Sequence, residues 1–316
     1  MTGVQTCALP ILPNSGVALA VNNVVKEKNG VYINSGAATS DLTNAQCTPN
    51  TVHWTYDTWM LANGTGKAVV KTGGDTWFFI TADYAFGHAL ERDTTAVIQA
   101  NGGKVLGSVS VPLNNQDFSS FLLQAQQSKA KIIGLANAGG DTINSIKQGA
   151  EFGVVQGGQK FAALLLFITD VHSLGLKVAQ GLQFTGAFYW DQDDATRAFS
   201  RRFFERIHHM PTMVQAGVYS ATHHYLEAVK ALGNKDPDQV MAKMREMPIN
   251  DFMTKNGHLR IDGRVLRDMY LFEVKKPEES KEPWDYLKVV QTVPGDEAFR
   301  PLDQGGCPLV KKAEAK

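Results

Sequence analysis

The stretch that most constrains the fold is residues 75–103, which combines a buried strand, a loop and an amphipathic helix. Residues 77–80 are an unbroken apolar run, which is typical of a strand covered on both faces in a parallel sheet. From Phe86 the apolar residues recur at helical spacing, and Gly102 and Gly103 supply a helix stop. The stretch therefore predicts one strand–loop–helix unit of a parallel sheet.

The same alternation of strand and helix patterns recurs along the chain. Strand patterns at residues 104–111, 131–135 and 161–167 are each followed by a helical pattern. This rhythm predicts an α/β fold, with parallel strands joined by right-handed crossovers.

A similar unit precedes this series. Ser15 is the predicted N-cap of a helix whose buried side should include Val17 and Val24. The strand at residues 31–33 then ends in small polar residues, which let a ligand approach backbone amides. Residues 56–71 are predicted as a helix interrupted at residues 63–66.

After residue 190 helical patterns follow one another, over residues 195–209 and 214–232 and again from Pro237. Strand patterns return at residues 258–261, and the chain ends in two more strands and a tail. At 316 residues the chain can hold two domains of ordinary size.

Composition excludes several partners. The 316 residues include 31 Lys plus Arg and 31 Asp plus Glu, so no net field favours nucleic acid or an anionic membrane. No apolar run approaches the roughly 18 residues of a spanning helix, so we expect no stable membrane insertion. Residues 1–11 lack the basic and apolar regions of an export signal.

The chain carries none of the common catalytic motifs. The sequence has no nucleophile elbow and no zinc-protease motif, and residues 63–68 lack the first glycine of a phosphate loop. Adjacent histidines on a helix point about 100° apart, which disfavours a shared metal ion. The acidic run at residues 191–194 is better explained as a helix cap than as a calcium loop. We therefore expect no enzyme activity, no cofactor and no metal.

Aromatic residues at strand ends are the candidate ligand contacts. Ligands of open parallel sheets bind at the carboxyl ends of the strands. The candidates are Tyr84, Phe86, Phe167 and Trp190. Three of the four lie at strand ends beside acidic residues, an arrangement equally compatible with core packing and with a small-molecule pocket. Asp170 either caps its helix or pairs with a ligand amine, and the sequence leaves both open.

With these residues in view, the chain resembles the periplasmic solute-binding proteins of ABC transporters in the leucine/isoleucine/valine-binding family. The resemblance rests on the order and spacing of five segments: INSGAATSDLT, HWTYDTWMLA, FFITADYAFGHAL, LANAGGDTINSIKQGAEFGV and LLLFITDVHSLGLKVAQGL. DYAFG and FYWDQDDATRAF look closest to members linked to aromatic acids. The family fold is the type I periplasmic-binding-protein fold, with two doubly wound parallel-sheet lobes and three hinge crossings.

The resemblance also implies domain boundaries. The first lobe would comprise residues 12–55 and 191–265, the second lobe residues 56–190 and 266–300, and the tail residues 301–316. Residues 1–11 match nothing in the family and are expected to be a foreign or artefactual start. They stand where the family has two further strand–helix units, so the first lobe is expected to lack its first strands and to fold poorly alone.

The resemblance further implies a solute site in the cleft between lobes, where the family binds its ligands. The ligand-binding residues would be Ser15, Ala37, Ala38, Thr39, Tyr84, Phe86, Ala138, Phe167, Asp170 and Trp190. Serine at a helix N-terminus and nearby backbone amides suit a carboxylate, and the aromatic residues suit an apolar body. The solute would be an aromatic acid or a branched-chain amino acid.

The implied setting is the periplasm, with an ABC transporter permease as partner. Cys47 and Cys307 match a pair seen in relatives and are expected to form a disulfide in that oxidising compartment. Two alternatives remain open at this point. One is a cytoplasmic doubly wound enzyme, and the other is a ligand-sensing regulatory domain of the same fold.

Overall fold

The structure is a computed structural model that describes residues 9–10 and 14–310. Apart from residues 9 and 10, the predicted foreign start at residues 1–11 lies outside the described residues, as does the end of the predicted tail. The strands are β1 (Leu9–Pro10), β2 (Tyr32–Asn34), β3 (Thr51–His53), β4 (Thr76–Ala82), β5 (Lys104–Val111), β6 (Ile132–Ala136), β7 (Lys160–Ala163), β8 (Gln183–Gly186), β9 (His258–Leu259), β10 (Val265–Leu266), β11 (Met269–Val274) and β12 (Leu287–Val293).

From β3 to β8 each strand is followed by at least one helix, in agreement with the predicted alternation, whereas β2 and β3 are joined by a 3-10 turn. The helices are α1 (Ser15–Glu27), α2 (Thr58–Leu61), a π-helical turn (Ala62–Gly66), α3 (Lys67–Lys71), α4 (Ala85–Ala100), α5 (Ser119–Gln127), α6 (Gly140–Glu151), α7 (Ile168–Leu174), α8 (Leu176–Ala179), α9 (Asp194–Ile207), α10 (Met213–Leu232), α11 (Pro237–Glu246) and α12 (Gly295–Ala298). Short 3-10 turns occur at Ser40–Thr43, Pro277–Glu279 and Leu302–Gln304.

The chain divides into two compact units. Unit 1 comprises residues 1–57, 213–268 and 294–316, and unit 2 comprises residues 58–212 and 269–293. The chain therefore passes between the units at four points, whereas the resemblance implies three. The difference arises because the last segment returns to unit 1, where Cys307 is bonded to Cys47.

Unit 1 is built on the parallel sheet β1-β2-β3, with helices on both faces. Ile33 of β2 packs with α10 and α11 through residues such as Ala228 and Met244. The next side chain along the strand, Tyr32, packs with Ala18 of α1 on the other face. This alternation of side chains across a strand gives each face its own core.

Unit 2 contains a four-stranded parallel sheet of order β5-β4-β6-β7. The central strand β4 carries fully buried Trp77, Phe79 and Ile80, as predicted for a strand covered on both faces. Strands β12, β11 and β8 form a second, antiparallel sheet in the same unit. The predicted doubly wound α/β fold is confirmed.

The buried face of α1 differs from the prediction. Val17 and Val24 are 47% and 54% exposed, and the buried positions are instead Ser15, Ala18, Asn22 and Val25. The Asn22 amide explains the difference, because it donates to the Gln46 carbonyl and accepts hydrogen bonds from threonine hydroxyls. The cap prediction was also wrong: Asn14 is the N-cap, and its side chain accepts the Val17 N–H.

The helix at residues 58–71 is continuous, although the sequence predicts an interruption. Residues 62–66 form a π-helical turn, and the chain then resumes α-helical geometry in α3. An added Cβ on Gly64 would lie 2.2 Å from Thr185 Oγ1 of β8. The glycine is therefore required for close approach to the second sheet.

Replacing Gly64 with Ala is expected to lower the free energy of unfolding of unit 2 by about 1 to 2 kcal/mol, because the methyl group overpacks a filled contact. Chemical denaturation measures this loss. Gly140→Ala is the matched control, since an added Cβ there meets no atom within 4 Å. Equal stability of the two variants would contradict the prediction.

Residues 191–212 belong to unit 2, whereas the resemblance places them in the first lobe. Packing explains the assignment, because the Phe199 ring of α9 makes an edge-on contact with Phe188, at 6.2 Å between centroids. Within the part of the chain that the structure describes, no helix has both the length and the apolar character to cross a bilayer.

Candidate functional site

The predicted carboxylate-binding residues of unit 1 lie together. The Thr39 backbone N–H donates to Ser15 Oγ at 3.2 Å, and both residues are fully buried. Ser15 is the first residue of α1, so its hydroxyl lies at the positive end of a helix dipole. Because the oxygen accepts from Thr39, the hydroxyl proton of Ser15 can be donated to another acceptor.

The loop between β2 and Thr39 is fixed by side chains that the sequence analysis did not single out. The Asn34 side-chain amide makes two hydrogen bonds to the backbone of Ala37. It donates to the Ala37 carbonyl at 2.6 Å and accepts the Ala37 N–H at 3.0 Å. His53 Nε2 donates to the same carbonyl at 2.9 Å, and the Tyr56 hydroxyl donates to the Gly36 carbonyl at 2.7 Å. In the sequence, these residues can be recognised only as polar side chains that lie inside or just after a buried strand.

Burial keeps His53 neutral. The side chain is fully buried, which lowers its pKa well below the usual value, and the nearby positive charge of Arg264 lowers the pKa further. The neutral ring can still donate through Nε2 to Ala37. The backbone at Ala37 and Ala38, whose side chains are 0% and 2% exposed, is thus supported by a non-ionised donor.

The expected disulfide between Cys47 and Cys307 is present, with Cα atoms 5.7 Å apart. The two cysteines form a small apolar cluster with Val310, against which Leu302 and Leu309 pack. The bond joins Cys47, eight residues after Thr39, to Cys307 in the C-terminal segment of unit 1.

In unit 2 the predicted residues follow three neighbouring parallel strands. Tyr84 and Phe86 follow β4, Ala138 follows β6, and Phe167 follows β7. Because these strands are parallel and adjacent, their carboxyl ends lie along one edge of the sheet.

Tyr84 and Phe86 form an aromatic pair at the start of α4, with ring centroids 5.8 Å apart. Phe86 is buried, and Tyr84 is partly buried. Burial, followed by the charge of Asp141, raises the pKa of Tyr84 to about 12, so its hydroxyl stays protonated at neutral pH. An added Cβ on Gly87 would lie 2.0 Å from the Ala82 carbonyl oxygen, which explains the glycine in this turn.

Asp141 is a buried carboxyl group at this edge that the sequence analysis did not select. It lies in the first turn of α6, three residues after Ala138, and is 6% exposed. Asp141 Oδ2 accepts the Asn114 N–H at 3.3 Å, and burial raises the pKa of the carboxyl group. The sequence signal was its place directly after the strand exit.

Asp170 performs the capping role that the sequence left open. Its Oδ2 accepts the Phe167 N–H at 3.0 Å, at the start of α7. The residue is 6% exposed, and burial raises the pKa of Asp170 to about 6 against the smaller lowering effect of that hydrogen bond. Capping does not exclude a ligand contact, because a carboxylate has further lone pairs.

Trp190 is buried and tied to the turn between β11 and β12. Its indole N–H donates to the Trp284 carbonyl at 2.8 Å, and the Tyr189 hydroxyl donates to the same carbonyl at 3.2 Å. Trp190 thus has a structural role in unit 2, and its contact with a solute stays a prediction.

The acidic run before α9 caps a helix, as predicted. Asp193 Oδ1 accepts the Thr196 N–H at 2.9 Å, and Arg197 pairs with Asp191 and Asp194. Among the described residues, no group of three or more His, Cys, Asp or Glu side chains is arranged to bind a metal ion.

Comparison with known proteins gives consistent matches. A family model described as periplasmic binding protein matches residues 8–281. A crystal structure of a periplasmic binding protein from Burkholderia mallei is 58% identical, with a TM-score of 0.92, covering 94% of this chain and 78% of that one.

Two further relatives carry more specific names. A branched chain amino acid ABC transporter periplasmic ligand-binding protein from Burkholderia xenovorans LB400 is 40% identical, with a TM-score of 0.85, covering 95% of this chain and 80% of that one. The Leu/Ile/Val-binding protein homolog 6 of Brucella melitensis is 24% identical over 288 residues, covering 87% of this chain and 71% of the relative.

Proposed function

Since this chain belongs to the periplasmic binding protein family, it is a solute-binding receptor, and we propose that its solute is a small molecule bearing a carboxylate. The family and its structural relatives bind solutes and are not enzymes. The relative from B. xenovorans is named for branched-chain amino acids, which carry a carboxylate.

The observation that carries the proposal is the contact between Ser15 and Thr39. The Ser15 hydroxyl accepts the Thr39 N–H and so retains its proton for a ligand. A carboxylate oxygen placed there would accept that proton near the N-terminus of α1, where negative charge is favoured. Ala37 and Ala38 add no bulk between the backbone and a ligand.

We also propose that Tyr84 and Phe86 contact the apolar body of the solute. An aromatic pair with one protonated hydroxyl suits either an aromatic ring or a branched aliphatic chain. Asp170 would distinguish the two classes, because only an amino acid brings an ammonium group to pair with a carboxylate. We place Ala138, Phe167 and Trp190 as further candidate contacts.

Ser15→Ala is expected to weaken binding of the solute by about 10- to 100-fold, since a hydrogen bond to a charged group contributes about 1.5 to 3 kcal/mol. Isothermal titration of the full chain with aromatic acids, branched-chain amino acids and their amides measures the loss. The exposed Ser173→Ala is the matched control. An unchanged dissociation constant in Ser15→Ala, or equal binding of an acid and its amide, would contradict the proposal.

We further propose that the receptor works in the periplasm and delivers its solute to the permease of an ABC importer. The proposal is supported by the family and by the transporter named for the B. xenovorans relative. Uptake of the titrated solute by vesicles containing a candidate permease should require the receptor, and receptor-independent uptake would argue against it.

A further inference from the structure

We propose that the Cys47–Cys307 disulfide is a positioning element of the solute site, which holds the loop of residues 39–47 in its binding conformation. The inference rests on the proposed carboxylate-binding role of Ser15 and Thr39. Breaking the bond should therefore weaken solute binding more than the general loss of stability explains.

Within this loop, a series of short-range hydrogen bonds connects Thr39 at the site with Cys47 at the disulfide. The Thr39 hydroxyl donates to Asp41 Oδ2 at 3.1 Å. The Asp41 carbonyl accepts the Asn44 N–H at 3.2 Å and the Gln46 N–H at 3.1 Å. The Cys47 N–H then donates to the Asn44 carbonyl at 3.0 Å. A displacement at Cys47 is therefore transmitted along the backbone to Thr39.

The tail also contacts this loop without covalent bonding. An added Cβ on Gly305 would lie 2.9 Å from Asn44 Oδ1, so the tail backbone is in direct contact with the loop. Val310 belongs to the same buried cluster as Cys47 and Cys307. The only regular element within residues 39–47 is the 3-10 turn at Ser40–Thr43. A covalent bond from Cys47 to the tail therefore restricts the conformations of this loop strongly.

The loop also has a non-covalent anchor, which the Asn22 amide supplies by donating to the Gln46 carbonyl at 2.8 Å. Asn22 is buried in α1, the same helix that carries Ser15. The disulfide and Asn22 thus fix the far end of the loop from two directions, while Ser15 fixes its near end. A preorganised loop binds more tightly, because less conformational entropy is lost on binding.

The experiment compares solute binding by the full oxidised chain, by the Cys47→Ser/Cys307→Ser variant, and by the wild type treated with a dithiol. In the last case the S–S bond is reduced to two thiols while the dithiol is oxidised to its own disulfide. We expect dissociation constants at least 5-fold higher without the disulfide, mainly through faster dissociation. Met244→Ala, in the core of unit 1 and outside the loop, is the control for lost stability.

Hydrogen exchange on the same samples gives a second readout that needs no solute. Amides of residues 41–47 should exchange faster without the disulfide, while amides of β2 and β3 keep their protection. An unchanged affinity, an equal loss in Met244→Ala, or unchanged loop exchange would each overturn the proposal. If the wild type binds no carboxylate, the proposed function fails, and loop exchange still decides whether the disulfide orders this loop.

Discussion

Replacing Asp57 with Ala is expected to lower the free energy of unfolding of unit 1 by about 3 kcal/mol, because it removes the carboxylate paired with the buried Arg264 cation, while Asp262 still offsets part of that charge. Asp57 Oδ2 lies 3.3 Å from Arg264 Nη1, and the side chains are only 4% and 1% exposed. Burial lowers the pKa of Arg264 to about 10, so the group stays charged at neutral pH. Its guanidinium also lies 4.4 Å from the centre of the Phe299 ring.

Unit-specific hydrogen exchange during chemical denaturation measures this loss, with β2 and β3 reporting unit 1 and β4 and β6 reporting unit 2. Replacing the pair together, as Asp57→Leu with Arg264→Met, should recover most of the stability, because the buried cation is removed together with the carboxylate that pairs with it. Glu246→Ala, which removes an exposed ion pair with Lys243, should leave β2 and β3 unchanged. A loss confined to β4 and β6 would contradict the assignment of Asp57 to unit 1.

Asp170→Asn is expected to stabilise unit 2 by up to about 3 kcal/mol at pH 7.5, and the gain should vanish below about pH 4. The folded pKa of Asp170 is raised to about 6 from an ordinary value of 3.8. Between these values the unfolded carboxyl group is ionised while the folded one keeps its proton. The folded state then binds more protons, so the stability of the wild type falls as the pH rises through this window.

Denaturation of both proteins between pH 3.5 and 7.5 measures the difference, and a gain that does not depend on pH would contradict it. Asn retains an oxygen that accepts the Phe167 N–H. Asp170→Ala loses that acceptor and should be less stable than the Asn variant by about 1 kcal/mol. A carboxylate that lowers stability at neutral pH is a candidate for a ligand contact, so titration of the same variants with amino acids tests the ammonium partner.

We expect the opposite pH dependence for unit 1. His53 is neutral when folded, so the unfolded chain binds an additional proton once the pH falls below about 6.5. Stability contributed by this group is therefore lost on acidification, and the lowered pKa of His224 acts in the same direction. Acid should then weaken unit 1 over the pH range in which Asp170 strengthens unit 2.

Periodicity in the sequence was sufficient where regularly spaced apolar residues mark a strand or one face of a helix. The strand predicted at residues 104–111 matches β5 residue for residue, and Phe86 and Leu90 of α4 are buried as predicted. Strand exits could also be predicted, because the change from apolar run to polar loop is abrupt at Tyr84 and Ala138. These exits are the basis of the candidate site.

Polar burial was the part that periodicity could not predict. In α1 the buried face is centred on Asn22, whose hydrogen bonds reach residues 24 to 29 positions away along the chain. The prediction placed Val17 and Val24 on the buried face of α1, and both lie on its exposed face. The same limit applies to His53, whose contact with Ala37 depends on the pairing of β2 with β3.

Glycine was the other source of error. In residues 63–66 the sequence indicates a break, since glycine disfavours helices. The structure retains the helix there because Gly64 faces Thr185, some 120 residues later in the chain. A local propensity was thus overridden by a distant packing partner.

The division of the chain into alternating segments sets the order in which a growing polypeptide can complete its parts. Unit 2 lacks β11 and β12 until residue 293 has emerged, and unit 1 lacks Phe299 beneath Arg264 and Cys307 opposite Cys47 until later still. Neither unit can therefore complete its fold before its last segment has been synthesised. The disulfide therefore cannot form until residue 307 has been synthesised.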